Sequence, residues 1–336
     1  MFGPRIEADR VRWQASPVID EAIAAFWGSW STVHPLLEAE LDAGEYGEGT
    51  ALLTALSEAI EPHLEWELMP GHAATNALCL SSAADPRLRL ITERWVEAAP
   101  DADATWEYHP ARIAIGLEKV ELADIEIDPR QASVGIEPDP NGETLDLMIG
   151  HPDFAGLDET LQLQAAFRFL DDLLGEDASE RWIGSVDVVP DAVSWGIPLG
   201  ELAASVELLA DSATGEQWES IDQHDNELGN SQLLINRALK RFDLLDLVML
   251  ISVSVEIPHR RDLSLADSVE EDLATILDTA GVIFARETYD KFVVIYAYGR
   301  DDKIAEVSRL PKRHGPAVYD VVTEADAGWD AYDEMR

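Results

Sequence analysis

The chain has 336 residues, 46% of them hydrophobic, a single cysteine and a formal net charge of −42. That length fits two domains or three small ones, each with apolar residues enough for a core. The lone Cys79 excludes an internal disulfide and a cysteine-rich zinc site, and the scarcity of bases argues against direct nucleic-acid binding, where clustered Lys and Arg must meet phosphates.

Acids are equally dense along the chain, with 46 in residues 1–235 and 20 in residues 236–336. Bases are not: the same stretches hold 11 and 13, and Lys119 is the only lysine before Lys240. Two readings follow. The carboxylates form a solvated coat over the whole surface, or the base-poor front presents a negative field to a basic partner. The best apolar run, Asp246 to Val255, is interrupted by Ser252 and Ser254, so no membrane span is expected. The opening MFGPRIEADRVRW lacks the apolar core of a signal peptide, which points to the cytoplasm.

In chain order, Ser16 and Pro17 predict a helix start, with Asp20 and Glu21 in its first turn and Ile19, Ile23, Phe26, Trp27 and Trp30 at helical spacing. Pro35 is expected to kink or restart this helix, and a second covers about 49–60. Strands at 64–69 and 75–81 flank a Pro70-Gly71 turn; a helix from Pro86 and a strand at 105–109 complete the first module. The next stretch predicts strands at 122–127, 132–137 and 144–149, with PDPNG (138–142) as a hairpin turn. A helix at 157–174, a strand at 182–189 and a helix at 199–209 follow. Residues 211–231 have no periodicity and predict a linker or surface loop. The last hundred residues predict βαββαβ: strands at 247–256, 282–288, 292–298 and 317–323, and helices at 265–280 and 301–312. That order is the one of a ferredoxin-like sandwich, with both helices on one face of a four-stranded sheet. The fold class is therefore α+β, divided as 1–115, 116–212, a linker at 213–235, and a ferredoxin-like domain at 236–336.

Motifs for chemistry are sparse. GEYGEGT (44–50) has neither the dinucleotide glycine spacing nor a Walker lysine and suits a helix–helix connection. The eight histidines form no His-x-His or His-Glu-x-x-His pair. Asp222, His224, Asp225 and Glu227 are the densest set of ligand types, suited to a divalent ion or equally to a polar loop. EPDPNGETLD (137–146) lacks the bidentate Glu of a calcium loop, with Met148 in its place. No Gly-x-Ser-x-Gly elbow is present, and Cys79 stands in an apolar strand, where a thiol packs as a small hydrophobe. The Phe26-Trp27-Trp30 stripe has the spacing of a core. Trp13 and Trp218, among polar residues, are candidate anchors for a partner. Trp329 and Tyr332 are either a latch for the terminal segment or a further contact site.

Several segments together resemble an uncharacterised bacterial family, a domain of unknown function: FWGSW (26–30), AAP (98–100) followed by Trp106, FLDDLLGE (169–176) followed by Trp182-Ile183-Gly184, and DAGWDAY (326–332). The resemblance covers nearly the whole chain and implies no activity. Asp326, Gly328, Trp329 and Tyr332 are also similar to the end of a small acidic family that inhibits a bacterial ribonuclease by binding it, a likeness of fold and four residues only. The expectation is a non-catalytic, acidic protein-binding or regulatory protein whose partner is basic, with no cofactor and no metal. A metal-dependent hydrolase using carboxylates, and an immunity or inhibitor protein, stay open beside it.

Overall fold

A computed structural model describes residues 17–83, 85–122, 125–139, 143–212, 216–223, 229–259, 263–314 and 318–336. The chain is α+β, its helices packed on several separate sheets. Helix α1 (Pro17–Ala43) runs on through Pro35, and α2 (Glu48–Ile60) follows it. Ser16, the expected cap of α1, lies outside the described residues. Ile23, Phe26, Trp30, Val33 and Leu37 recur three or four apart, so they share one buried face. That face packs on a sheet of β1 (Glu65–Pro70), β2 (Asn76–Ser81) and β3 (Trp106–His109), where α3 (Arg89–Glu97) makes the crossover between parallel β2 and β3. Buried indole N–H groups usually find an acceptor. Trp27 Nε1 donates to the Trp95 carbonyl at 2.7 Å and Trp30 Nε1 to Tyr108 Oη at 2.8 Å. The aromatic stripe is core.

The second module holds a short hairpin, β4 (Val120–Leu122) and β5 (Ile125–Ile127), and a four-stranded sheet in the order β8-β7-β6-β9. Its strands are β6 (Ser133–Pro138), β7 (Leu145–Gly150), β8 (Ile183–Val189) and β9 (Ile197–Pro198). The tip of the expected PDPNG turn, 140–142, lies outside the described residues; its flanks, β6 and β7, pair antiparallel. Asp158 caps α4 (Glu159–Leu174), its Oδ1 accepting the Leu161 N–H at 3.0 Å. Gly175 ends that helix at φ 81° and ψ 156°, a region essentially open only to glycine. The turn there starts α5 (Glu176–Trp182) at once, and α6 (Leu202–Ser212) follows β9.

The third module departs from expectation in two places. The stretch read as a linker supplies β10 (Trp218–Gln223) and β11 (Ser231–Asn236), so the sheet has six strands in the order β10-β11-β13-β14-β12-β15. The others are β12 (Met249–Glu256), β13 (Gly281–Thr288), β14 (Phe292–Gly299) and β15 (Val318–Ala325), all neighbours antiparallel. An edge strand as exposed as β10, with Ile221 its one aliphatic residue packed on the core, shows no apolar alternation to read. The second departure is the helix expected over 301–312, which is two short pieces, α8 (Ile304–Val307) and α9 (Leu310–His314). Pro311 has no N–H to offer the Val307 carbonyl, so the chain restarts there. Those pieces and α7 (Ser264–Leu277) share one face of the sheet through Val269, Leu273, Val307 and Leu310, while α10 (Asp330–Met335) covers part of the other. Among the described residues no helix is long and apolar enough to cross a membrane.

Charge joins the first two modules. Arg112 reaches Glu65 at 3.0 Å, Glu67 at 2.9 Å and Asp171 at 3.3 Å, and Arg168 bridges Glu67 and Asp172, both at 3.0 Å. Arg89, almost wholly buried, holds Asp177 at 2.9 Å, and Glu176 accepts from Ser81 Oγ at 2.6 Å. Helix α5 is thereby fixed at its start against the first module. Glu180 and Arg181, one turn on, face the third.

Candidate functional site

The segment between β11 and β12 and the terminal helix α10 close on α5 around a cavity of about 370 Å³. Its ionisable lining is Glu180, Arg181, Lys240, Arg241, Asp333 and Arg336, four bases against two acids. Helix α5 supplies Glu180 and Arg181; the adjacent pair Lys240-Arg241 comes from the turn after β11; Asp333 lies on α10 and Arg336 directly follows that helix, three residues on. Arg181 donates to Asp243 at 2.8 Å and lies 4.9 Å over the Trp182 ring. Lys240 Nζ donates to the Glu143 carbonyl at 3.0 Å and lies 5.4 Å over the same ring. Arg336 is held by Glu143 at 2.7 Å and by Asp333 at 3.1 Å. Arg241 stacks 4.4 Å over Phe242, and its nearest carboxylate, Glu180, is 3.7 Å away, beyond hydrogen-bond distance.

Burial sets the electrostatics. It pushes the Glu180 carboxyl up to about 7, the neighbouring Glu176 charge adding to the effect and Arg241 opposing it. It lowers the proton affinity of Lys240 and Arg241, against the pull of Glu143 on the first and Glu180 on the second. Two buried polar atoms of the lining residues, Glu180 Oε1 and Arg181 Nε, have no hydrogen-bond partner, nor does Oε1 of the adjoining Glu143. Bases outnumber acids in the lining of this cavity, in a chain whose overall composition runs the other way.

The residues singled out in the sequence are not brought together. Trp329 and Tyr332 are each 2% exposed, so they are not surface anchors: they are the latch. Trp329 Nε1 donates to the Leu247 carbonyl at 2.9 Å, and Tyr332 Oη to the Asn236 carbonyl at 2.9 Å. Asp326 takes the Tyr298 hydroxyl at 2.6 Å and the Ala331 N–H at 3.0 Å, which fixes the start of α10. Trp329 and Tyr332 also form part of the apolar wall of the cavity. Trp218 is 42% exposed at the start of edge strand β10, its Nε1 donating to Glu216 at 3.1 Å. Trp13 lies outside the described residues, as do His224, Asp225 and Glu227; Asp222 is exposed on β10. No group of three metal-ligating side chains occurs among the described residues. Cys79 is fully buried in β2, and burial pushes its thiol up to about 12, as suits a packing residue.

The four cavity bases went unread in the sequence because three separate segments supply them. The one local signal is the adjacent pair Lys240-Arg241, and the base-richer last hundred residues hold other such pairs, Arg260-Arg261 and Lys312-Arg313. Compared with protein-family models and with curated proteins, the chain matches none.

Proposed function

We propose that this chain is a non-catalytic binding protein whose partner is a protein with a basic face. One observation carries the reading: of the eight described bases before residue 236, seven are held in ion pairs within the chain, Arg94 being the other. Acids outnumber bases by 35 over those 235 residues, and all but one of the described cations are occupied locally, so the outer field is negative over much of the surface. Strand β10 gives that field a place to act. It lies at a sheet edge, where main-chain groups are open to strand addition, and Trp218 stands there beside Glu216, Glu219 and Asp222. An immunity or inhibitor protein is the same reading with the partner's activity specified.

The test is capture of partners on the immobilised full chain at about 0.1 M and about 1 M salt, where the Debye length is about 10 and 3 Å. Recovery of a basic protein at the lower salt, bound directly when purified and lost at the higher salt, supports the proposal. An acidic partner removes the charge argument, and turnover of a small molecule without any partner replaces the reading with an enzyme.

A further inference from the structure

We infer that the cavity between α5, the 237–247 segment and α10 binds a compact, phosphate-bearing small molecule. The inference does not rest on the partner-binding reading, which concerns the outer surface. Four of the chain's 24 bases converge on one cavity, against two lining acids, in a protein of net charge −42. Such a concentration of bases runs against composition, and although Glu143 and Asp243 reach them from beside the lining, burying cations is costly unless each is compensated.

The compensation present is incomplete at one residue in particular. Arg181, Lys240 and Arg336 each have a carboxylate or carbonyl at hydrogen-bond distance. Arg241 has only Glu180, at 3.7 Å, although its side chain is 12% exposed and pinned by stacking on Phe242. Its planar fork is left with donors free to meet a tetrahedral oxyanion, the geometry for which guanidinium is suited. Lys240 adds a second charge as a compact point donor. A dianionic phosphate is favoured over a carboxylate, because the chain's own carboxylates already compete for these bases on equal terms. Volume sets the size of the ligand. About 370 Å³ exceeds a bare phosphate group and falls at the lower end of the ~300–1,000 Å³ usual for small-molecule sites. Phe242 and Tyr332 supply apolar wall for the rest of the molecule.

Inorganic phosphate and pyrophosphate are the probes, titrated into the full chain by calorimetry at pH 8 and constant ionic strength, with thermal melting in parallel. Saturable binding is expected, with a melting temperature that climbs with phosphate, as it must when a ligand binds only the folded state. Arg241→Met weakens the affinity at least about tenfold while leaving the circular dichroism spectrum unchanged. Glu180→Gln, which removes a negative charge from the lining, tightens it about threefold or more. No saturation by either probe up to about 10 mM, well past the millimolar dissociation constant of a weak site, overturns the inference. So does saturable binding that neither substitution alters, since the anion then sits elsewhere. Should Arg241→Met fail to fold, Glu180→Gln decides alone: unchanged affinity refutes the site.

Discussion

Trp329 lies flat against Tyr298, ring centroids 4.3 Å apart and planes 2° from parallel, although the two residues belong to different elements. Phe284 also stacks on Tyr298, at 5.0 Å, so β13, β14 and the terminal segment share one aromatic cluster. Trp329 holds a left-handed backbone, φ 62°, which costs a bulky residue about 1–2 kcal/mol. Burial of the indole and its bond to Leu247 outweigh that cost. Trp329→Ala is therefore expected to lose about 3–5 kcal/mol of stability, as large aromatic truncations in cores do. Denaturant unfolding checks it: an unchanged midpoint would mean that α10 does not contribute to the fold.

The latch was half legible in the sequence. Two aromatics three residues apart after an Asp-Ala-Gly turn suggested a tether, but nothing local said that Tyr298, Leu247 and Asn236 would be its receivers. Strands of the third module with two-residue alternation, such as Ile251, Val253 and Val255, were read within about two residues because one face is buried under α7. Strand β10 was missed for the opposite reason: Glu219, Ser220 and Asp222 face solvent, and an acidic edge has no apolar period. Cavity residues were illegible in a third way, since Arg181, Lys240 and Arg336 are brought together only by tertiary packing.

Stability should fall as pH rises from about 5 to 8. Burial pushes Glu180 up to about 7 and Asp171 up to about 6, with Arg241 and Arg112 opposing the effect at each. Between the ordinary carboxyl range and those values the folded chain binds protons that the unfolded chain has released, so their contribution is complete below about pH 4 and lost above. Glu107 acts in the other direction. Burial raises it, but the N–H groups of His72, Ala73 and Ala74 outweigh that and hold it at about 2, so its contribution disappears as pH falls from about 4.5 towards 2. Melting temperature is expected to peak near pH 4–5, and Glu180→Gln to flatten the decline on the alkaline side. A wild-type profile that rises from pH 5 to 8 would refute the assignment.

Moderate salt should stabilise the fold. An excess of 35 acids over the first 235 residues repels itself, and raising salt from about 0.1 to 1 M shortens the Debye length from about 10 to 3 Å. Ion pairs with a buried base, such as Arg89 with Asp177, are screened less than that surface repulsion. Melting temperature in chloride should climb across this range. A flat or falling curve would mean that the short-range pairs already balance the excess.

Steering and anchoring at β10 predict different kinetic signatures. Glu216 and Asp222 contribute long-range attraction for a basic partner, which governs encounter, whereas Trp218 would act only after contact. Replacing both acids, Glu216→Lys with Asp222→Lys, should slow association severalfold and flatten its salt dependence, with little change in dissociation. Trp218→Ala should do the reverse. A central aromatic anchor is worth about 2 kcal/mol or more, roughly a thirtyfold faster dissociation with association almost unchanged. Neither change should disturb the fold, because Trp218 is 42% exposed, its indole bonds among the described residues to its neighbour Glu216, and Asp222 is exposed. Surface plasmon resonance with a captured basic partner separates the two effects. If Trp218→Ala leaves both rates untouched while the acid substitutions still slow association, the field acts as proposed and the contact lies on another face of the molecule. If the acid substitutions leave association unchanged as well, neither the edge strand nor its charge takes part in recognition.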